Sequence, residues 1–151
     1  MAVKDTAPYL HDCINSIINQ TYQNWELIAV NDHSTDETPE ILAAFAKQDA
    51  RVRVFDSDGY KLIPTLQCGY REVRGTLLNR MDSDDKMPDY KIQLLVDEWH
   101  KYGKGHVIAG GTEHFVDEGE VGDGFLRYER WLNEVARTST HYQQIYKECV
   151  I

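Results

Sequence analysis

Three carboxylates fall within four positions at Asp82-Ser83-Asp84-Asp85, with Arg80 and Met81 just before them and Pro88 just after. Clustered carboxylates repel one another and are costly to keep ionised together, so such a cluster invites a cation. An Asp-x-Asp pair on a turn offers hard oxygen ligands to Mg²⁺ or Mn²⁺ and leaves coordination positions for a substrate's phosphates. The same residues read equally as a solvated acidic turn in which Asp84 or Asp85 helps to cap the next helix. A second acidic centre lies at Asn31-Asp32-His33-Ser34-Thr35-Asp36. Asp32 there could accept a hydrogen bond from a base or ribose, whereas Asp36 better fits an Asx-turn that closes its own loop. Lys61 and Arg80 are candidate phosphate or ribose contacts, or ordinary surface charges. There is no Gly-rich phosphate loop, so a metal would have to carry most of the phosphate binding. Of the six histidines, none at ligand spacing, His33 alone falls in the proposed crevice.

These groups need elements to position them. The chain alternates apolar runs of strand length with stripes of helical period. Tyr9, Leu10, Cys13, Ile14, Ile17 and Ile18 recur at helical spacing after Pro8, and Trp25 to Val30 reads as a buried strand. Thr38 and Pro39 suit the cap and first residue of a helix through Ile41, Leu42 and Phe45. A strand over Val52–Phe55 follows, then a helix through Ile63, Leu66, Gly69, Tyr70 and Val73 with Gly75 as its stop. Thr76-Leu77-Leu78-Asn79 reads as a further buried strand ending at the acidic turn, with a helix beginning at Pro88. His106–Ala109 and Thr112–Val116 read as strands, and Phe125, Tyr128, Trp131, Leu132 and Val135 as a last amphipathic helix. Trp25, Trp99 and Trp131 fit core or helix-face positions. Strands alternating with helices imply a parallel sheet with helices on both faces. Lys4-Asp5, Asn31-Asp32, Asp56-Ser57-Asp58 and the acidic turn each follow a strand, so all would converge on one edge of that sheet. Ligands bind at that edge in open α/β folds.

The 151 residues suffice for one domain with a real core, and 42% apolar with 27% charged residues is ordinary for a soluble globular chain. With 25 acids against 16 Lys and Arg the formal charge is -9, which argues against a nucleic-acid backbone as partner. An anionic ligand must then be met by local cations or a metal. Cys13, Cys68 and Cys149 show no metal or disulfide spacing and fit reduced thiols in the cytoplasm. No apolar run reaches membrane-spanning length. Met1-Ala2-Val3 reads as the end of a strand, and Tyr146 to Ile151 stops without a cap, so both ends look cut.

In combination, these pieces resemble the nucleotide-binding half of family 2 glycosyltransferases with the GT-A fold. The resemblance rests on the Met1-Ala2-Val3 strand end and on the helix with Ser16-Ile17 and Asn19-Gln20-Thr21-Tyr22. It rests further on Trp25 to Thr38, and on Arg74-Gly75 running into Arg80-Met81-Asp82-Ser83-Asp84-Asp85 and Pro88. Together these span roughly the first two thirds of the chain, in order, so that the whole is far more specific than any part. The fold implied is a Rossmann-like three-layer α/β/α sandwich with a mostly parallel sheet, truncated at both ends and forming one nucleotide-sugar-binding domain over 1–151.

What the resemblance implies is transfer of a sugar from a nucleotide diphosphate sugar, often a UDP-sugar, to a saccharide or lipid-linked acceptor. It further implies dependence on Mn²⁺ or Mg²⁺, an inverting outcome, and a cytoplasmic location with peripheral association at the inner membrane face. By the same resemblance Asp32 would contact the base, Val3 and Asp5 would lie beside the nucleotide, and Asp82, Ser83 and Asp84 would form the diphosphate site. Asp82 and Asp84 would be the metal ligands, Asp84 foremost. The family often has Tyr-Asn where this chain has Lys4-Asp5, and Asp where it has Asn31. The acceptor-side half, with the general base that inverting transfer needs, has no match after Val116. Asp117, Glu118, Glu120 and Asp123 are acids without a context that recommends one. Two other readings remain: a non-catalytic nucleotide-binding or interaction domain, and a nucleotidyltransferase. The latter should carry a basic Gly-rich loop where Lys4-Asp5-Thr6-Ala7 stands.

Overall fold

The computed structural model describes residues 1–144, which divide into two compact units, one ending at Leu94 and the other beginning at Leu95. The Tyr146–Ile151 terminus and Cys149 lie outside the described residues. The first unit is built on a parallel sheet ordered β1 (Ala2–Val3), β2 (Leu27–Asn31) and β3 (Val52–Asp56). Helices α1 (Ala7–Ile18) and α2 (Thr38–Gln48) are the connections, and α3 (Leu62–Arg71) follows β3.

Strand β2 is buried on both faces, and its alternation assigns each side chain to one layer. Leu27 and Ala29 join Leu10, Cys13, Ile14 and Ile17 of α1 and Leu42 and Phe45 of α2 in the main core. Ile28 and Val30 face the other way, packing with Cys68 of α3. Gly69 lets α3 approach closely: a Cβ there would lie 3.1 Å from Val30 Cγ2. Helices on both faces of a parallel sheet are thus what the sequence predicts and what this unit shows.

The register places Val3 beside Asn31 and Asn31 beside Asp56, so the three strands end at one level. Their turns leave from the same edge of the sheet. Asn31 links two of them: its amide donates to Asp56 Oδ1 at 3.1 Å, while its Oδ1 accepts from Ser34 N. An Asp at this position would set a carboxylate against Asp56, which accounts for the amide here.

Several expected elements differ. Residues 76–79 form no strand; Leu77 is 40% and Leu78 67% exposed, and the segment pairs with no neighbour. Composition alone made it strand-like. Of the two sheet edges, β1 is only two residues long and offers little ladder to extend. α3 ends at Arg71 rather than Gly75, and Arg74 N and Gly75 N donate instead to Glu26 Oε1 at 2.6 and 3.1 Å. Helix α4 spans Lys91–Tyr102, three residues beyond Pro88; the Pro88 and Asp89 carbonyls accept from Gln20 and Thr21 in the turn after α1. Thr38 does not cap α2: Asp36 Oδ1 accepts from Thr38 N at 3.0 Å, while Thr38 Oγ1 accepts from Thr6 N. Asp36 Oδ2 accepts from Ala7 N, so its carboxylate closes the starts of both helices, as an Asx residue should.

In the second unit the expected strands His106–Ala109 and Thr112–Val116 are irregular, and Val107 is 79% exposed. Backbone groups near Thr112 pair with side chains of helix α5 (Asp123–Thr138) rather than a strand. Asn133 accepts from Thr112 N and donates to Thr112 O, both at 2.8 Å, and Glu129 Oε2 accepts from His114 N at 2.6 Å. A short helix α6 (His141–Gln144) follows. No helix among the described residues is long and apolar enough to cross a membrane.

Candidate functional site at the carboxyl edge of the sheet

The turns after β1, β2 and β3 and the acidic turn meet around a cleft of about 490 Å³. Its lining is Ala2, Val3, Lys4, Asp32, Lys61, Leu62, Arg80, Asp82, Ser83 and Asp84. Seven of the eight sequence-derived candidates therefore come together, although the strand expected to lead into four of them, Arg80, Asp82, Ser83 and Asp84, is absent.

The eighth, Asp5, does not line the cleft. Its Oδ1 accepts from Thr35 N at 2.7 Å and from Thr35 Oγ1, and its own N–H donates to Ser34 Oγ. It braces the turn after β1 against the turn after β2.

Asp32 is buried and already engaged. Oδ2 accepts from Lys61 N at 3.0 Å, and Oδ1 lies 3.2 Å from His33 Nδ1. Lys4 Nζ sits 3.9 Å from Oδ2 and donates to the Asp32 carbonyl at 3.3 Å. A carboxylate has about four lone-pair sites, so these contacts leave acceptor capacity facing the cleft. Asp5, His33 and Lys61 all have positive φ (47°, 56° and 75°), an uncommon conformation for residues with a Cβ that concentrates at functional turns.

The acidic turn is held from behind. Met81 and Met87, flanking it, are buried in the main core with α1 and α2. Met87 N donates to Ser16 Oγ, and the wholly buried Gln20 spans the gap to the next helix. Gln20 Nε2 donates to Pro88 O at 2.6 Å and to Ser16 O, while Oε1 accepts from Ile92 N at 2.9 Å. Beneath the turn, Cys13 Sγ donates to Asp82 O at 3.5 Å. Burial, then the charges of Asp85 and Asp84, push that thiol up to about 12, so it stays a neutral donor. Helix periodicity places Cys13 on the inner face of α1 but says nothing of this role; Ser16 and Gln20, the latter in the turn after α1, were visible only as pieces of the family resemblance.

Arg80 Nη2 donates to both oxygens of Asp82, at 2.8 Å to Oδ1 and 3.1 Å to Oδ2. Asp84 and Ser83 complete this wall of the cleft, while burial followed by the charges of Asp84 and Asp82 raises the Asp85 carboxyl above the usual carboxylate range. Charge on the turn is therefore incompletely neutralised by the protein itself. No group of three or more His, Cys, Asp or Glu side chains among the described residues is arranged to hold a metal alone. Asp82 and Asp84 nonetheless form a hard-oxygen pair on one open turn, which fits a cation whose remaining ligands come from phosphate and water. The acids at the end of β3 and in its turn are otherwise occupied, Asp56 with Asn31 and Asp58 with Arg71. Lys4, expected at this edge as part of the Lys4-Asp5 turn, lines the cleft, and Leu62 does so without having stood out in the sequence.

Comparison with known proteins agrees with this geometry. The family model described as Glycosyl transferase family 2 matches residues 1–147. EpsH of Bacillus subtilis (strain 168), described as a candidate glycosyltransferase, is 38% identical over 124 residues, covering 82% of this chain and 36% of EpsH. Glycosyltransferase GlyG of Streptococcus pneumoniae serotype 4 is 36% identical over 119 residues, covering 78% of this chain and 39% of GlyG. The chain thus spans little more than a third of the length of these relatives. Among solved structures, Staphylococcus aureus TarS bound to UDP-GlcNAc superposes on 66% of this chain and 30% of its own, with TM-score 0.57 at 20% identity. The mannosyltransferase PcManGT from Pyrobaculum calidifontis, in complex with GDP-Man and Mn²⁺, superposes on 65% of this chain and 30% of its own, with TM-score 0.59 at 19% identity. At those identities the likeness speaks for the fold: an α/β architecture on a parallel sheet, as in GT-A enzymes.

Proposed function

The chain belongs to glycosyl transferase family 2, and from that membership we propose that it is the donor-binding portion of a sugar transferase. The donor is a nucleotide diphosphate sugar, with uridine as the base, and the acceptor a saccharide or a lipid-linked sugar at the cytoplasmic membrane face. Transfer is metal-dependent and inverting, and residues 1–151 act as one nucleotide-sugar-binding domain. The observation that carries this reading is the single cleft shared by Asp32, Lys61, Arg80, Asp82, Ser83 and Asp84. UDP-GlcNAc in TarS supports uridine, and Mn²⁺ in PcManGT supports the cation.

In this mechanism the base end of the donor meets Val3 and the open side of Asp32. Lys4 and Lys61 supply positive charge to the diphosphate in a chain whose net charge of -9 would otherwise repel it. Arg80, freed from Asp82 as the donor enters, adds a fork suited to phosphate oxygens. Asp82 and Asp84 would hold Mn²⁺ or Mg²⁺, which when bound offsets charge developing on the departing diphosphate. Ser83 presents a hydroxyl to the same oxygens. The acceptor's general base belongs to the acceptor-side half of the enzyme.

Calorimetric titration of UDP into this chain, with and without Mn²⁺, tests the proposal. The expected result is metal-dependent binding that Asp84→Ala removes. Binding of GDP in preference to UDP would keep the site and reassign the base. Indifference to both metal and Asp84→Ala would overturn the reading.

A further inference from the structure

β3 is an outer strand of the sheet, and its free edge pairs with nothing among the described residues. In a parallel ladder the residues of a strand bond alternately to one side and the other. Leu27 N donates to Arg51 O and Ser57 N to Asn31 O, both at 2.9 Å, so the odd-numbered residues of β3 bond to β2. Val52, Val54 and Asp56 therefore turn their backbone groups outward. The Val54 N–H and C=O, the Val52 C=O and the Asp56 N–H have no hydrogen-bond partner among the described residues. Natural edges are blunted by shortness, proline, bulges or charge. β3 instead runs five residues in unbroken register with β2, without proline or bulge. Arg53, its only basic residue, is neutralised in place by Glu26 at 2.9 Å and Glu72 at 3.4 Å.

We propose that this edge is a self-association surface, on which two copies of the chain pair antiparallel along β3 about a two-fold axis at Val54. A two-fold contact must be self-complementary, and β3 meets that condition. Val54 exchanges both backbone bonds with the partner's Val54, and at each end Asp56 N–H donates to the partner's Val52 C=O. In this register Arg53 lies opposite the partner's Phe55, both side chains on the face that carries α3. Arg53 already sits over its own Phe55, 5.2 Å from guanidinium carbon to ring centroid, so the same cation–π contact repeats across the axis. Charge selects the direction: β3 is entered through Arg51 and Arg53 and left through Asp56 and Asp58. Antiparallel pairing sets each basic start against the partner's acidic end, whereas parallel pairing would set like charges side by side. Three strands from each copy then form one continuous sheet. Because the strands of the two copies run oppositely, their clefts open at opposite edges of it, and association leaves both accessible.

The test is light scattering over a concentration series, on the unaltered chain and on Val54→Pro. Proline there removes the outward N–H that the pairing uses but no bond to β2, a position that edge strands tolerate. The unaltered chain should rise in mass from one copy toward two and stop there, as a closed two-fold contact requires. Val54→Pro should weaken association about tenfold or more, for the two bonds lost at the axis. Amide exchange of the unaltered chain gives an independent reading should Val54→Pro fail to fold. Exchange at Val54 and Asp56 should slow as concentration rises, while Arg53 and Phe55, bonded to β2, should be slow throughout. A single copy at every concentration up to millimolar would overturn the proposal, as would a pair that folded Val54→Pro forms equally well. Mass growing past two copies, or a pair in which Val54 exchanges as fast as in the single chain, would place the contact elsewhere and overturn it too.

Discussion

At the scale of single residues, the site depends on side chains that never touch the cleft. Gln20 is wholly buried and uses both ends of its amide, joining Pro88 O, Ser16 O and Ile92 N. Gln20→Ala strands the Ile92 N–H, while Pro88 O keeps the bond from Lys91 N, so the cost is that of one group left unpaired, about 1–3 kcal/mol. Urea denaturation should report a loss of about that size, and nucleotide titration should show the acidic turn loosened as weaker binding. A stable variant with unchanged affinity would mean that Met81 and Met87 hold the turn unaided. Asp32 was legible in the sequence as an acid after an early strand, and it does line the cleft. Its engagement with His33 and Lys61 was not, because turn backbones with positive φ leave no periodic trace when the residues are His and Lys rather than Gly. Gln20 was illegible in a different way: a polar residue after an amphipathic helix ordinarily signals solvent.

At the scale of elements, the links between strands and turns carry the acid sensitivity of the fold. Glu26, just before β2, accepts from Arg74 N and Gly75 N through Oε1 and from the Arg53 guanidinium through Oε2 at 2.9 Å. Burial alone would raise its pKa, but these donors together outweigh burial and hold the carboxyl below its ordinary value. A carboxylate depressed on folding contributes stability that is present above its unfolded pKa and lost as the pH falls through the folded one. That window lies below about pH 4.5. Stability measured from pH 6 down to 3 should therefore fall less steeply in Glu26→Gln than in the unaltered chain, and an identical acid limb would refute the assignment. The three strands and the helices between them were readable because burial imposes clear periods of two and 3.6. Leu77-Leu78 and Val107-Ile108 misled for the same reason, since apolar runs declare burial partners that a short edge strand or a lone helix does not supply.

At the scale of the whole molecule, every residue of the cleft lies between positions 2 and 84, inside the unit that ends at Leu94. A chain ended after Tyr102, at the close of α4, should bind UDP with the affinity of the full chain within about twofold, the scatter expected of context effects on a distant truncation. Titration of the two side by side decides it, and a larger loss would show that residues beyond Tyr102 support the site. The family was legible from the first two thirds of the sequence because turns at strand ends keep their spacing when loops vary. The acceptor side left no pattern to read, and α5 instead presents Asn133 and Glu129 to the preceding segment as surrogate strand partners.

The two ends of the cleft are mounted differently, and this separates them as handles for change. The base end stands on turns that leave the sheet at one level, so its loops can be exchanged with little consequence for the strands below. The diphosphate end hangs from α1 through Ser16 and Cys13 and from the turn after it through Gln20, with no strand beneath it. Donor choice can then drift or be redesigned loop by loop, while the charge-handling wall moves only when the buried side of a helix is rewritten with it. A lineage or a laboratory altering this site would be expected to find the first route easy and the second nearly closed.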